Sequence, residues 1–297
     1  MILKIILLLS YFNLNYRMIM EERFANVNGL KVCYKVDGDG YPLILIHGFG
    51  SKKESFMAQI PTLSQKFKVV TYDARGAGKT ERPNNPYSMD IFADDLKALM
   101  DYLKFKKGHL LGLSMGGMIA LTFTIKYPSM VNKLILINTL AKFPEDFDPE
   151  AYIQSRIKSI ELMEQMPEKS FWDSTQFGFY PKFRKKMKEN PNLKFYGLWS
   201  VQDLIEYYKT DSPTPQDIRN LAASFKTYYA YDRINEIKHR TLLLTASHDK
   251  LVPKEKMIEL HKIMANSIIK VIEKAGHESA KEKAPEVNEY IINFLEN

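Results

Sequence analysis

Short unbroken apolar runs constrain the fold of this chain more than any other feature: Leu43-Ile44-Leu45-Ile46, Leu134-Ile135-Leu136-Ile137 and Leu242-Leu243-Leu244. A strand with one solvated face alternates apolar and polar residues with period two, so an unbroken run marks a strand buried on both faces. Such strands occur where helices cover a parallel sheet. The segments between the runs agree. Ser88 caps an amphipathic helix in which Ile91, Phe92, Leu96, Leu99, Met100 and Leu103 recur at helical spacing. Residues 24–36 alternate around Asn28-Gly29, a hairpin turn pair. Further strands are expected at 68–72, 109–113 and 268–272, and helices at 54–66, 115–127, 253–264 and 284–295.

Between residues 140 and 233 the strand signal lapses. Helical stretches, aromatic residues and scattered prolines predict a helical insertion there, leaving 21–139 and 234–297 as one α/β core. Met163 and Met166 are expected in its interior. Residues 1–20 carry the run Ile5-Ile6-Leu7-Leu8-Leu9, far short of the roughly 20 residues a membrane span needs. They read as a mis-assigned or dispensable leader, with Met18 and Met20 as later starts; a signal peptide or membrane anchor is the alternative.

Gly112-Leu113-Ser114-Met115-Gly116 fits G-x-S-x-G between a predicted strand and a predicted helix, the context in which that motif projects a nucleophilic serine. Gly112 and Gly116 leave room for the sharp turn. A serine hydroxyl is a weak nucleophile at neutral pH and needs a base. Asp249, in the loop after the 241–245 strand, is the expected acid; His277, in the loop after 268–272, is the expected base. Both loops fall at the C-terminal edge of the sheet, where parallel-sheet sites collect. The other histidines fit less well: His109 starts a strand, His239 precedes one, His261 lies mid-helix and His248 adjoins the acid. Asn138 ends the 133–137 strand and, not being a carboxylate, does not compete for the acid role.

His47-Gly48-Phe49-Gly50 follows the first run. There the Phe49 amide, with the Met115 amide, is expected to form an oxyanion hole, Gly48 opening the turn and His47 fixing the loop. Gly78-Lys79-Thr80 imitates the end of a phosphate-binding P-loop, but Asp73 stands where its first glycine belongs. Asp73 and Arg75 read instead as a charged turn tying loops together near the site.

Taken together, these motifs resemble the α/β-hydrolase superfamily over roughly residues 24–297. Tyr72-Asp73-Ala74-Arg75-Gly76-Ala77-Gly78 and Gly112-Leu113-Ser114-Met115-Gly116-Gly117-Met118 are most similar to its enol-lactonase and carboxylesterase branch. Cofactor-free haloperoxidase-like esterases and carbon–carbon bond hydrolases share similar segments. The resemblance implies an α/β fold: a mostly parallel eight-stranded sheet with helices on both faces, and residues 140–233 as a helical cap after the sixth strand. It also implies the chain order Ser114, Asp249, His277, with no cofactor and no metal. Ser114 separates the chain from the dehalogenases and epoxide hydrolases of this fold, which use an aspartate nucleophile. The expected function is cleavage of small carboxylic esters, lactones or thioesters through an acyl-enzyme. The same triad serves carbon–carbon bond hydrolases and acyltransferases, and a weakly active ligand-binding protein is the non-enzymatic alternative.

The net charge of +7 comes without basic residues interleaved with aromatics, so a nucleic-acid module is excluded. The basic run from Lys182 to Lys188 reads as a solvated face. Cys33 is the sole cysteine and lies in an alternating segment, so it reads as a buried strand thiol, and no zinc spacing occurs. The expected partner is a small-molecule substrate in an apolar pocket under the cap, lined by some of its aromatic residues (Phe143, Phe147, Tyr152, Phe171, Trp172, Phe177, Phe179, Tyr180, Trp199, Tyr207, Tyr208, Phe225, Tyr228 and Tyr229), most of them serving the packing of the cap itself. Membrane contact is expected only if residues 1–20 are retained. The chain is expected to be a cytoplasmic monomer or homodimer, anchoring or export through residues 1–20 being the alternative.

Overall fold

The computed structural model describes residues 21–297, so the expectations for residues 1–20 lie outside the described residues. The strands are Arg23–Val27 (β1), Leu30–Asp37 (β2), Tyr41–Ile46 (β3), Phe67–Tyr72 (β4), Gly108–Leu113 (β5), Val131–Ile137 (β6), Thr241–Ala246 (β7) and Ser267–Ile272 (β8). They form one eight-stranded sheet in the order β1-β2-β4-β3-β5-β6-β7-β8. Only the β1–β2 and β2–β4 pairs are antiparallel. The β1–β2 hairpin turns at Asn28 and Gly29, with φ of 50° and 69°, the positive values a two-residue turn of this kind requires.

The helices are Ile60–Leu63 (α1), Met89–Tyr102 (α2), Met115–Lys126 (α3), Pro149–Gln165 (α4), Pro167–Gly178 (α5), Pro181–Glu189 (α6), Val201–Lys209 (α7), Pro215–Lys226 (α8), Lys254–Ile263 (α9), Ser279–Glu282 (α10) and Ala284–Glu296 (α11). Ser88 caps α2 as its sequence predicts, its Oγ accepting from the Ile91 amide. Alternate side chains of the central strands feed opposite cores. Ile44, Ile46, Leu134, Leu136 and Leu243 pack with α2, α3 and α9 on one face. Leu43, Leu45, Ile135, Ile137, Leu242 and Leu244 pack with Leu63 and α11 on the other. This two-sided burial is why the runs contain no polar residue: each side chain contributes about 1.5–3 kcal/mol by leaving water.

The expected continuous helix over 54–66 does not form. A 3₁₀ turn at Lys53–Phe56 and the single turn α1 replace it. Pro61 has no N–H to bond the Met57 carbonyl, so helical bonding cannot run through. Asp73 also holds the start of the segment, accepting from Lys53 N at 2.8 Å and Lys53 Nζ at 2.9 Å.

Helices α4 to α8 lie between β6 and β7. Fully buried Trp199 packs with Phe171, Phe179, Met187 and Leu204, while Ile153, Ile157 and Ile160 of α4 meet Ile218 and Ala222 of α8. Met163 joins this interior, but Met166 is exposed. The following Pro167 drives Met166 out of the helical region, to φ −140° and ψ 70°, and the chain turns there. On α6, Lys182, Lys185, Lys186 and Lys188 are exposed as a solvated face. Arg184 is half-buried and donates to Thr175 Oγ1 and the Trp172 carbonyl, fastening α6 to α5. Cys33 is buried and unpaired, and burial pushes its thiol up to about 11. No helix among the described residues is long and apolar enough to cross a membrane.

Candidate active site

Strands β3, β5, β6, β7 and β8 run parallel, so their C-terminal loops share one edge of the sheet. Ser114 occupies the turn from β5 into α3 with φ 55° and ψ −121°. That conformation is strained for a residue with a side chain and costs on the order of 1–3 kcal/mol. The surroundings hold it there. Ser114 N donates to the Ile137 carbonyl at 2.9 Å, and Thr139 Oγ1 donates to the Ser114 carbonyl at 2.7 Å. Gly116 is required for close approach: a Cβ there would lie 2.0 Å from the Ile46 carbonyl oxygen. A Cβ on Gly112 would lie 2.3 Å from the Gly116 carbonyl oxygen. With these side chains absent, the loop after β3 packs against the serine, and a Cβ on Gly48 would sit 3.9 Å from Ser114 Oγ.

Met115 is the first residue of α3, so its N–H has no intrahelical acceptor. Among the described residues the Phe49 N–H has no backbone acceptor either. Phe49 and Met115 line the same cavity as Ser114. His47 is buried and bonds backbone on both sides of its ring. Its Nε2 accepts from Ala74 N at 2.9 Å, so Nδ1 carries the proton and donates to the Gly48 carbonyl at 2.9 Å. Burial holds its pKa below the ordinary imidazole value, and the ring stays neutral.

His277 Nδ1 donates to Asp249 Oδ2 at 2.7 Å. Asp249 Oδ1 accepts from Leu251 N at 2.8 Å and Val252 N at 2.9 Å, so one carboxylate holds both the turn after β7 and the histidine ring. The proton therefore sits on Nδ1 and Nε2 is free for acid–base work. Burial opposes the imidazolium, but the charge and hydrogen bond of Asp249 outweigh it, and the His277 pKa stands above the ordinary value.

Sequence reasoning considered Asn138 only as a missing carboxylate. In the structure it is fully buried at φ 47° and ties together the ends of β6, β7 and β8. Its Nδ2 donates to the His277 carbonyl at 2.8 Å and to Ser279 Oγ at 2.9 Å, and its Oδ1 accepts from Ala246 N at 2.9 Å. Asparagine tolerates positive φ and both donates and accepts, so its place at the end of a buried strand was the available signal. Glu282, also unremarked, accepts from Gly276 N and Tyr180 N, and burial pushes its carboxyl up to about 7. The charged turn acts through separate partners: Asp73 binds Lys53 and the Lys79 amide, and Arg75 binds Asp95.

A cavity of about 660 Å³ lies between this sheet edge and helices α4, α5, α7 and α8. Gly48, Phe49, Ser114, Met115 and His277 line it, with Asp249 behind the histidine. Phe143, Phe147, Tyr152 and Phe225 form an aromatic wall around Phe49, the Phe49 and Phe225 rings 5.0 Å apart. Trp199, Tyr228 and Tyr229 lie off this wall. Among the described residues no cluster of three or more His, Cys, Asp or Glu side chains could hold a metal ion.

A family profile described as the alpha/beta hydrolase fold matches residues 41–284. The chain belongs to that family. The enol-lactonase of Burkholderia xenovorans LB400 superposes with a TM-score of 0.77 at 22% identity, over 93% of this chain and all of that one. The 2-hydroxy-6-oxononadienedioate/2-hydroxy-6-oxononatrienedioate hydrolase of Escherichia coli K12 is 27% identical, covering 92% of this chain and 95% of its own. RutD of Caulobacter segnis, provisionally named a carbamate hydrolase, is 26% identical over 89% of this chain and 96% of its own. Family and relatives support hydrolase chemistry, and their named substrates differ in the bond that is cleaved.

Proposed function

We propose that the chain is a serine hydrolase of small carboxylic esters, lactones or thioesters, with helices α4 to α8 acting as a cap over the site. The observation that carries this reading is the strained Ser114 turn facing the same cavity as a histidine whose far nitrogen is bonded to a buried carboxylate. Ser114 Oγ attacks the carbonyl carbon and gives its proton to His277 Nε2. The resulting oxyanion accepts from the Phe49 and Met115 amides. Collapse expels the alcohol or thiol, which takes the proton back from His277. Water then loses a proton to Nε2 and attacks the acyl-enzyme, releasing the acid and restoring Ser114. Asp249 fixes the tautomer and stabilises the imidazolium without itself being protonated.

Burst and steady-state assays with p-nitrophenyl esters of graded acyl length test this reading. Ser114→Ala should lower kcat/KM by at least roughly a thousandfold. Background rates in both proteins, with no burst, would remove ester hydrolysis as the activity. A second reading has one observation behind it. The Escherichia coli relative is named for a 6-oxo substrate, and hydrolysis beside a ketone breaks a carbon–carbon bond. Turnover of a vinylogous 1,5-diketone with no ester turnover would favour it.

A further inference from the structure

Arg156 lines the cavity, and its Nε is buried without a hydrogen-bond partner. The acidic side chains on the same wall are committed elsewhere: Glu278 pairs with Lys281 and Asp173 with Lys169. Among the described residues no carboxylate lies within ion-pair distance of Arg156. Arg156 as a whole is half-buried, and its Nε is the atom shut off from water without a partner, which is costly for a polar group. Its fork of donors matches a carboxylate in two-point contact. Glu278 shares the wall: burial raises its pKa, but Lys281, His277 and the Arg156 charge hold its carboxyl below the ordinary value. Arg156 makes no hydrogen bond to it, so the Arg156 donors remain available to an anion in the cavity.

The position of Arg156 relates that anion to the reacting carbonyl. Its Nη2 lies 3.6 Å from where a Cβ on Gly50 would sit, as Ser114 Oγ lies 3.9 Å from the corresponding point on Gly48. Gly48 and Gly50 flank Phe49, and two residues span at most about 7 Å. Guanidinium and serine hydroxyl therefore border one tripeptide, the one whose amide would hold the oxyanion. We propose that Arg156 binds a carboxylate on the substrate, making the preferred substrates esters or lactones that carry an acid group a few carbons from the scissile carbonyl. This deepens, and rests on, the serine-hydrolase reading.

The test compares p-nitrophenyl hydrogen glutarate with p-nitrophenyl pentanoate, which share acyl length and differ by the carboxylate. A second pair, 4-acetoxybenzoate and phenyl acetate, places the acid on the leaving side. The wild type should favour the acidic member of one pair by about tenfold or more, as charge-assisted hydrogen bonds do. Arg156→Leu should erase that preference, a urea midpoint close to the wild type showing that the variant folds; Arg156→Lys should keep part of it. A preference absent from both pairs, or retained in Arg156→Leu, overturns the proposal and leaves the serine-hydrolase reading standing. Calorimetric binding of p-nitrophenyl hydrogen glutarate to Ser114→Ala separates the reverse case. Arg156-dependent binding without any wild-type turnover would sustain the anion site and overturn ester hydrolysis. Binding that ignores Arg156 overturns the anion site.

Discussion

Asn138→Ala isolates how much the fold invests in holding the His277 loop. The substitution strips the partners from two buried backbone groups, the His277 carbonyl and the Ala246 amide. Each orphaned group costs about 1–3 kcal/mol. Alanine must also adopt φ 47°, which asparagine tolerates better, adding about 1 kcal/mol. The sum is about 3–7 kcal/mol, a large share of the 5–15 kcal/mol that typically separates folded from unfolded states. Equilibrium urea denaturation measures it, with the slope expected to be unchanged. Asn138→Gly should recover about 1 kcal/mol of that loss, because glycine accepts the backbone conformation. Residual activity should fall as well, since the loop that aims His277 loses its tie. A loss below about 1 kcal/mol would refute the reasoning, by showing that water or a shifted loop replaces all of these bonds.

Asp249→Asn removes the charge that lifts the His277 pKa, so burial should then carry that pKa below the ordinary value. Activity needs neutral His277; in the wild type it should rise through a pKa above 6.5, and in the variant a much weaker activity should have its acid limb displaced downward. An unmoved limb would show that another group titrates. The stability sign follows the same shift: the His277–Asp249 pair stabilises most below the unfolded imidazole pKa and loses that contribution as pH rises through the folded one, so urea midpoints of Asp249→Asn should lag the wild type most at acid pH. Gly116→Ala forces a methyl group to within 2.0 Å of the Ile46 carbonyl oxygen, a backbone atom that cannot swing aside. It should cost at least about 1–3 kcal/mol and displace the loop carrying Phe49, giving a larger loss in kcat than in affinity; wild-type midpoint and activity would contradict that close approach.

The parts legible in the sequence are those decided by a few neighbouring residues or by the parallel sheet as a rule. The apolar runs announce strands buried on both faces whatever covers them. The Gly112–Gly116 turn is complete within five residues. Asp249 and His277 are 28 residues apart, yet each follows a strand, and parallel pairing sends both to one edge. The helix expected at 54–66 failed for a non-local reason, since Asp73 anchors its start, and for a local one, Pro61. Asn138 was invisible as a tether because its partner lies 139 residues further on.

The helical insertion is the extreme case. Its helices bury one-sided stripes that many partners could satisfy, so periodicity tells that α4 packs and leaves open against what. The Ile153, Ile157 and Ile160 stripe meets α8. Arg156 sits between the first two, a charge at the border of an apolar face. Packing offers its Nε no hydrogen-bond partner in exchange for the water it loses. The cavity supplies the reason: the border of the stripe is the wall of the site, and a residue that looks misplaced for folding is placed for what the cavity admits.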